Sequence, residues 1–201
     1  MIAWDVITEP EWAMTGPSLY EGDEGFDPSA GLEPLDHAGM ESFLADVITV
    51  LRQESGSLVT VGAAAVKWAH AWTHLDLDFY QFHHYDWIDA YWPYTNGPAT
   101  YGLDKPMMYG EFPLGPVNGA SYQTVVDTWY GAGYAGAMAW MFDGASGQDL
   151  ALVDPFAQAH PCETQYGQAA AKIIAAPAPA RAAIPSLRLC RRGPEGKPIC
   201  E

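Results

Sequence analysis

Two short apolar segments, each closing on a glutamate, constrain this chain more than any other feature. They are Ile2-Ala3-Trp4-Asp5-Val6-Ile7-Thr8-Glu9-Pro10 and Lys105-Pro106-Met107-Met108-Tyr109-Gly110-Glu111-Phe112. Each run is too short for a stable helix and reads as a buried strand punctuated by Pro or Gly. A carboxylate at the carboxyl end of such a strand stands where parallel α/β folds place their chemistry. Two of them, on two different strands, are what hydrolysis of a glycosidic bond requires.

At 201 residues the chain fits one domain with a substantial core. Eight Trp and eleven Tyr make it aromatic-rich, which suits stacking on sugar faces as well as core packing. A net charge of −16 argues against nucleic acid and anionic membrane as partners, since both attract basic surfaces. No run approaches the roughly 18 continuous apolar residues of a membrane span. Met1-Ile2-Ala3-Trp4-Asp5 lacks the basic start and apolar stretch of a signal peptide. Cys162, Cys190 and Cys200 make no dense disulfide framework, though a Cys190–Cys200 bridge is open to the chain in an oxidising compartment.

Beyond Glu9, the stretch from Gly16 to Asp36 is an acidic Gly/Pro-rich loop. Met40, Phe43, Leu44, Val47, Ile48 and Leu51 follow helical spacing, with Gly56 as a stop. Leu58–Gly62 and Asp78–Phe82 read as strands, and Ala63–His74 as a loop with a short helix. Tyr122–Tyr130 reads as a helix stopped by Gly131 and Gly133. Ala135–Phe142 reads as a further buried strand and Glu163–Ala176 as a last helix. Pro177-Ala178-Pro179-Ala180 opens a linker and basic tail, expected to be disordered to Glu201. The alternation of strands and helices implies a parallel sheet. Its strands are too few for an eight-stranded barrel, so the expected fold is the carboxyl-terminal part of one, residues 1–176.

The chain resembles retaining glycoside hydrolases of clan A, closest to the family 5 cellulases and mannanases. Trp4-Asp5-Val6-Ile7-Thr8-Glu9-Pro10-Glu11-Trp12 resembles the strand-four motif whose Asn-Glu-Pro carries the general acid/base. Val59-Thr60-Val61-Gly62 resembles strand five, Phe82-His83-His84-Tyr85 the strand-six His-x-Tyr, and Pro106–Phe112 the strand-seven segment that ends in the nucleophile. Gly136-Ala137-Met138-Ala139-Trp140 resembles strand eight, whose Trp forms a sugar platform. The resemblance implies a (β/α)8 TIM barrel truncated to strands four to eight, hydrolysing β-glucan or β-mannan by double displacement with no cofactor and no metal. It makes Glu9 the acid/base and Glu111 the nucleophile. His83, Tyr85, Trp140 and Thr8 would bind or orient the sugar, and Trp87 and Trp12 would line the groove. The chain departs from the family at Thr8, where Asn is usual, and in lacking the first three strands. The alternative from another class is a non-catalytic carbohydrate-binding fragment or an inactive truncated product. The expected partner is an oligo- or polysaccharide; oligomeric state is open, and a secreted or periplasmic location is expected before a cytoplasmic one.

Bland readings compete at several positions. Glu11 reads as a loop charge or minor sugar contact, and His84 as a core or surface histidine. His70 and His74 have the spacing of a zinc pair, but Ala71 stands where a metalloprotease carries its glutamate. Calcium in the acidic Glu21–Asp27 loop is weighed against a solvated loop, which is favoured. Trp68, Trp72 and Trp92 default to core or loop anchoring.

Overall fold

The computed structural model describes residues 3–29, 31, 33–87, 94–140, 151, 155–156, 190–192 and 198–200. The chain separates into two compact units, Met1–Ala159 and His160–Glu201. In the first, β1 (Ala3–Thr8), β2 (Leu58–Ala63), β3 (Tyr80–His83), β4 (Met107–Glu111) and β5 (Gly136–Ala137) form one parallel sheet in sequential order. Helix α1 (His37–Glu54) connects β1 to β2, and α2 (Tyr122–Ala132) connects β4 to β5. The expected last helix, Glu163–Ala176, lies outside the described residues.

The helices start and stop where local chemistry dictates. Asp36 caps α1 by accepting the Gly39 N–H at 2.8 Å, and Ser121 caps α2 by accepting the Thr124 N–H at 3.2 Å. Gly133, at φ 91°, ends α2 in the left-handed conformation that favours glycine. Met40, Leu44 and Ile48 form the buried stripe of α1. On α2, Val125, Val126 and Trp129 are buried, and Trp129 stacks on Tyr109 of β4 with ring centroids 4.1 Å apart. Arg52, near the end of α1, pairs with Asp78 at 2.7 Å while Asp78 accepts the Val59 N–H, tying helix, loop and β2 together.

A second set of residues meets across the sheet and is polar. Asp5 accepts the Gly62 N–H and the Gln81 side-chain amide, each at 2.9 Å. Glycine is needed where these groups cross. A Cβ at Gly110 would fall 2.3 Å from Cδ of Gln81, and one at Gly62 would fall 2.7 Å from the Asp5 carboxylate.

The two outer strands correct the sequence reading. β2 and β3 are buried almost throughout, but Trp4, Asp5 and Thr8 of β1 are exposed. The expected buried strand Ala135–Phe142 is only Gly136–Ala137, followed by a single bridge from Trp140 to Pro113. Met138 and Trp140 are exposed, and Phe142 lies outside the described residues. The reason is position: among the described residues β1 and β5 each have a strand on one side only.

In the second unit, β6 (Cys190–Arg192) pairs antiparallel with β7 (Pro198–Cys200), within the segment read as a disordered tail. The register sets Cys190 opposite Cys200. Among the described residues no helix is long and apolar enough to cross a membrane.

Gly110 tests this account. Gly110→Ala should destabilise the protein by about 1–3 kcal/mol through overpacking against Gln81, read as a lower urea midpoint at unchanged m-value. A midpoint equal to the parent's would show that Gln81 moves aside freely.

Candidate active site

The carboxyl ends of β1, β3 and β4 converge on one polar cluster. Both strands that carry a glutamate gain an extra residue just before it. Between the pairs Asp5↔Thr60 and Thr8↔Gly62, β1 runs one residue longer than β2. Between Phe82↔Tyr109 and His83↔Glu111, β4 runs one residue longer than β3. Such bulges bend a strand and re-aim the side chains that follow. At Glu9 the backbone is left-handed (φ 52°, ψ 51°), and its N–H donates to the Gly62 carbonyl at 2.6 Å. A non-glycine residue held there is strained, and Pro10 opens the 3₁₀ turn Pro10–Ala13 directly after it.

The two glutamates approach each other. One oxygen of Glu9, one of Glu111 and a ring nitrogen of His83 all lie within 4.8 Å of one another. His83 Nδ1 stands between them, 2.8 Å from Glu9 Oε1 and 3.5 Å from Glu111 Oε2. Facing two acceptors, Nδ1 carries a hydrogen and donates. Trp12 donates its indole N–H to Glu9 Oε2 at 2.9 Å, and Tyr85 donates its hydroxyl to Glu111 Oε1 at 2.5 Å. Burial, with Glu111 beside it, pushes the Tyr85 phenol well above its usual range, so it remains a donor. His83 is buried, whereas both carboxylates are partly open to solvent. This trio is the one group among the described residues with ligand-type atoms close enough to share a metal ion. Three of its four carboxylate oxygens are already engaged by the indole, the imidazole and the phenol, and Glu111 Oε2 is the fourth.

Five of the eight expected site residues therefore meet: Glu9, Glu111, His83, Tyr85 and Trp12. Trp87 joins them by stacking on Trp12, with centroids 5.6 Å apart and planes 22° apart, and is 72% exposed. Trp140 is 55% exposed and anchored by its backbone, whose N–H donates to Phe112 O one residue beyond Glu111. Thr8 is exposed beside Glu9, in register with Gly62, and its hydroxyl makes no hydrogen bond among the described residues.

Other candidates resolve as structure. Trp68 and Trp72 are core residues, and Trp92 lies outside the described residues. His84 is buried edge-on to Tyr109 and Trp129, and burial lowers its ring to about 4. His70 contacts Asp23 at 3.0 Å and the Tyr101 carbonyl at 2.9 Å rather than teaming with His74. Asp23 and Glu24, from the loop weighed for calcium, are taken by His70 and by Lys67 at 3.2 Å.

Glu11 is the residue that sequence reasoning misplaced. It is fully buried, not a loop charge: Trp72 donates its indole N–H to Oε1 at 2.7 Å, and Ala64 its backbone N–H to Oε2 at 3.0 Å. Burial pushes its carboxyl up to about 7, against the pull of those donors. The signal that could have found it is the spacing: in a 3₁₀ turn opened by Pro10, a side chain two residues past Glu9 can turn back beneath the strand end.

Comparisons with known proteins bear on the fold. No protein-family model matches the chain. A mannan endo-1,4-beta-mannosidase of Mytilus edulis is 36% identical over 67 residues, 32% of this chain and 18% of that protein. Three solved structures are similar. The endo-1,4-beta-mannanase from Eisenia fetida is 24% identical with a TM-score of 0.58, over 75% of this chain and 51% of that one. The beta-1,4-mannanase of the sea hare Aplysia kurodai is 23% identical with a TM-score of 0.57, over 76% and 52%. The beta-mannanase of the blue mussel Mytilus edulis is 22% identical with a TM-score of 0.55, over 73% and 50%. The chain thus spans about half the length of the solved chains it matches. Its structural neighbours are β-mannanases, and the likeness establishes the fold as part of a parallel α/β barrel.

Glu11 makes stability depend on pH. Its folded value near 7 lies above the ordinary 4.5, so its contribution is full below pH 4.5 and lost as pH rises toward 7, by about 3 kcal/mol. His84, lowered from 6.5 to about 4, works in the opposite sense over its own range. Urea unfolding from pH 4 to 8 should show the parent losing stability relative to Glu11→Gln as pH rises. A difference that stays flat with pH would refute the assignment.

Proposed function

We propose that this chain carries the catalytic constellation of a retaining glycoside hydrolase acting on β-1,4-linked mannan. The observation that carries the reading is the spacing of the two glutamates. One oxygen of each lies within 4.8 Å of the other, closer to the separation of about 5–5.5 Å of a retaining pair than to the roughly 6.5–9.5 Å of an inverting one. Strands β1 to β5 would stand as strands four to eight of an eight-stranded barrel, within a domain reaching to about residue 176 and a tail beyond it. The half-exposed outer strands support this.

Each side chain then has a role. Glu9 gives its proton to the glycosidic oxygen while Glu111 attacks the anomeric carbon, forming a glycosyl-enzyme. Tyr85 holds Glu111 Oε1, which leaves Oε2 as the attacking oxygen. Glu9 then takes a proton from water, and the hydroxide released at that carbon frees the sugar. His83 lies within reach of both acids and steadies them through both half-reactions. Trp87, stacked on Trp12, and Trp140 offer exposed rings to sugar faces. Thr8 is exposed and its hydroxyl makes no hydrogen bond among the described residues, so it can meet the sugar, though with a shorter reach than Asn.

The test is release of reducing ends from β-1,4-mannan by the full-length protein containing this sequence, with NMR showing that the first anomer formed keeps the β configuration. Glu111→Ala should abolish turnover. Glu9→Ala should slow mannan hydrolysis by about 10²–10⁴-fold while largely sparing aryl glycosides whose leaving group needs no proton. Activity retained in Glu111→Ala, or an inverted first product, would sink the reading.

A further inference from the structure

We infer that Glu11 is a positioning residue for the acid/base: its buried carboxylate clamps the Pro10–Ala13 turn to the end of β2 and so aims Glu9 and Trp12. The inference rests on the reading of Glu9 as acid/base and assigns a role to a residue two positions beyond it.

A glutamate is almost never fully buried without partners, because removing the charge from water costs several kcal/mol. Glu11 is fully buried and makes one contact per oxygen, to Ala64 N–H and to the Trp72 indole. Ala64 lies two residues past Gly62, whose carbonyl takes the Glu9 N–H. The turn therefore grips the end of β2 at two points, through the backbone of Glu9 and the side chain of Glu11. Between those points sits the left-handed backbone of Glu9, a strained state that persists only where surrounding contacts over-determine it. The next residue after the clamp is Trp12, whose indole holds Glu9 Oε2.

The chemistry explains why a carboxylate stands here. Two N–H groups converge from separate segments, and the carboxyl group sets one oxygen against each. Glutamine satisfies one and turns its own NH₂ against the other donor. Aspartate is one methylene too short to span the same gap. Glu11 is closed off from solvent, so it touches neither substrate nor the reacting atoms. Its loss should therefore lower kcat and leave KM nearly unchanged.

The experiment uses the full-length protein with the indole N–H signals assigned by ¹H–¹⁵N NMR, and two variants. In Glu11→Gln the Trp12 indole signal should move. Mannan turnover should fall about 10- to 100-fold, the cost of displacing a catalytic group by about an ångström. Hydrolysis of an aryl β-mannoside with a good leaving group should fall far less, because it needs no proton from Glu9. Trp72→Phe, which deletes one donor and keeps the carboxylate, should shift the Trp12 signal in the same direction by a smaller amount; it decides the question if Glu11→Gln does not fold. A Trp12 signal unmoved in both folded variants, or equal losses on both substrates, would overturn the inference. Should the parent prove inactive on mannan, the functional reading fails, while the Trp12 signal still decides the clamp.

Discussion

Two carboxylates held within 4.8 Å of each other are the constraint from which most of this structure follows. Two unit charges about 5 Å apart repel by roughly 3 kcal/mol at the effective dielectric of a partly open site. A chain that brings them together needs donors between and around them, held by something stiffer than a loop. His83 Nδ1 lies between the two acids, Tyr85 holds one from outside and Trp12 the other. Each donor comes from the end of a strand or the turn after it, so the parallel sheet sets the distances.

Stiffness comes from packing on the opposite face of the sheet. Tyr109 precedes Glu111 by two residues and is sealed by Trp129 and Tyr134. Phe112, the next residue after Glu111, is fully buried against Tyr122 and Trp129. Glu111 is therefore bracketed by residues that cannot move without opening the core. Glu9 lies on an outer strand with less packing behind it, and hydrogen bonds compensate: the Gly62 carbonyl on its backbone, and the Glu11 contacts just beyond it. The two acids are thus fixed by different physics, one by aromatic packing and one by a polar clamp.

That difference also explains what could be read from the sequence. The strands ending at Glu9 and Glu111, the helix over Met40–Leu51 and the His83-x-Tyr85 pair were legible because apolar runs and their punctuation fix them locally. The exposure of β1 and β5 was not, because an apolar run announces a strand without saying whether both its neighbours are present. Glu11 was misread for a related reason. Charge and a loop setting suggest solvent, whereas its burial depends on Ala64 and Trp72, more than fifty residues away in the chain. The bulges before both acids were equally hidden, since one extra residue in a strand leaves no mark on composition.

The tryptophans show how far a residue count can mislead. Trp68, Trp72 and Trp129 are spent on the core, while Trp87 and Trp140 stay largely exposed and Trp12 lies between the two groups. Exposing such a ring forgoes the stabilisation of burying its large apolar surface, so two of them left largely exposed ask for a reason. The chain's −16 charge cannot supply one for a neutral polymer, which offers no ion to attract. What a neutral sugar offers instead is a flat face of C–H groups, and flat aromatic rings are its complement. In the proposed reading, recognition by stacking and catalysis by paired acids would divide the work: exposed rings would set where the chain of sugars lies, and the buried framework would set where its bond meets the acids.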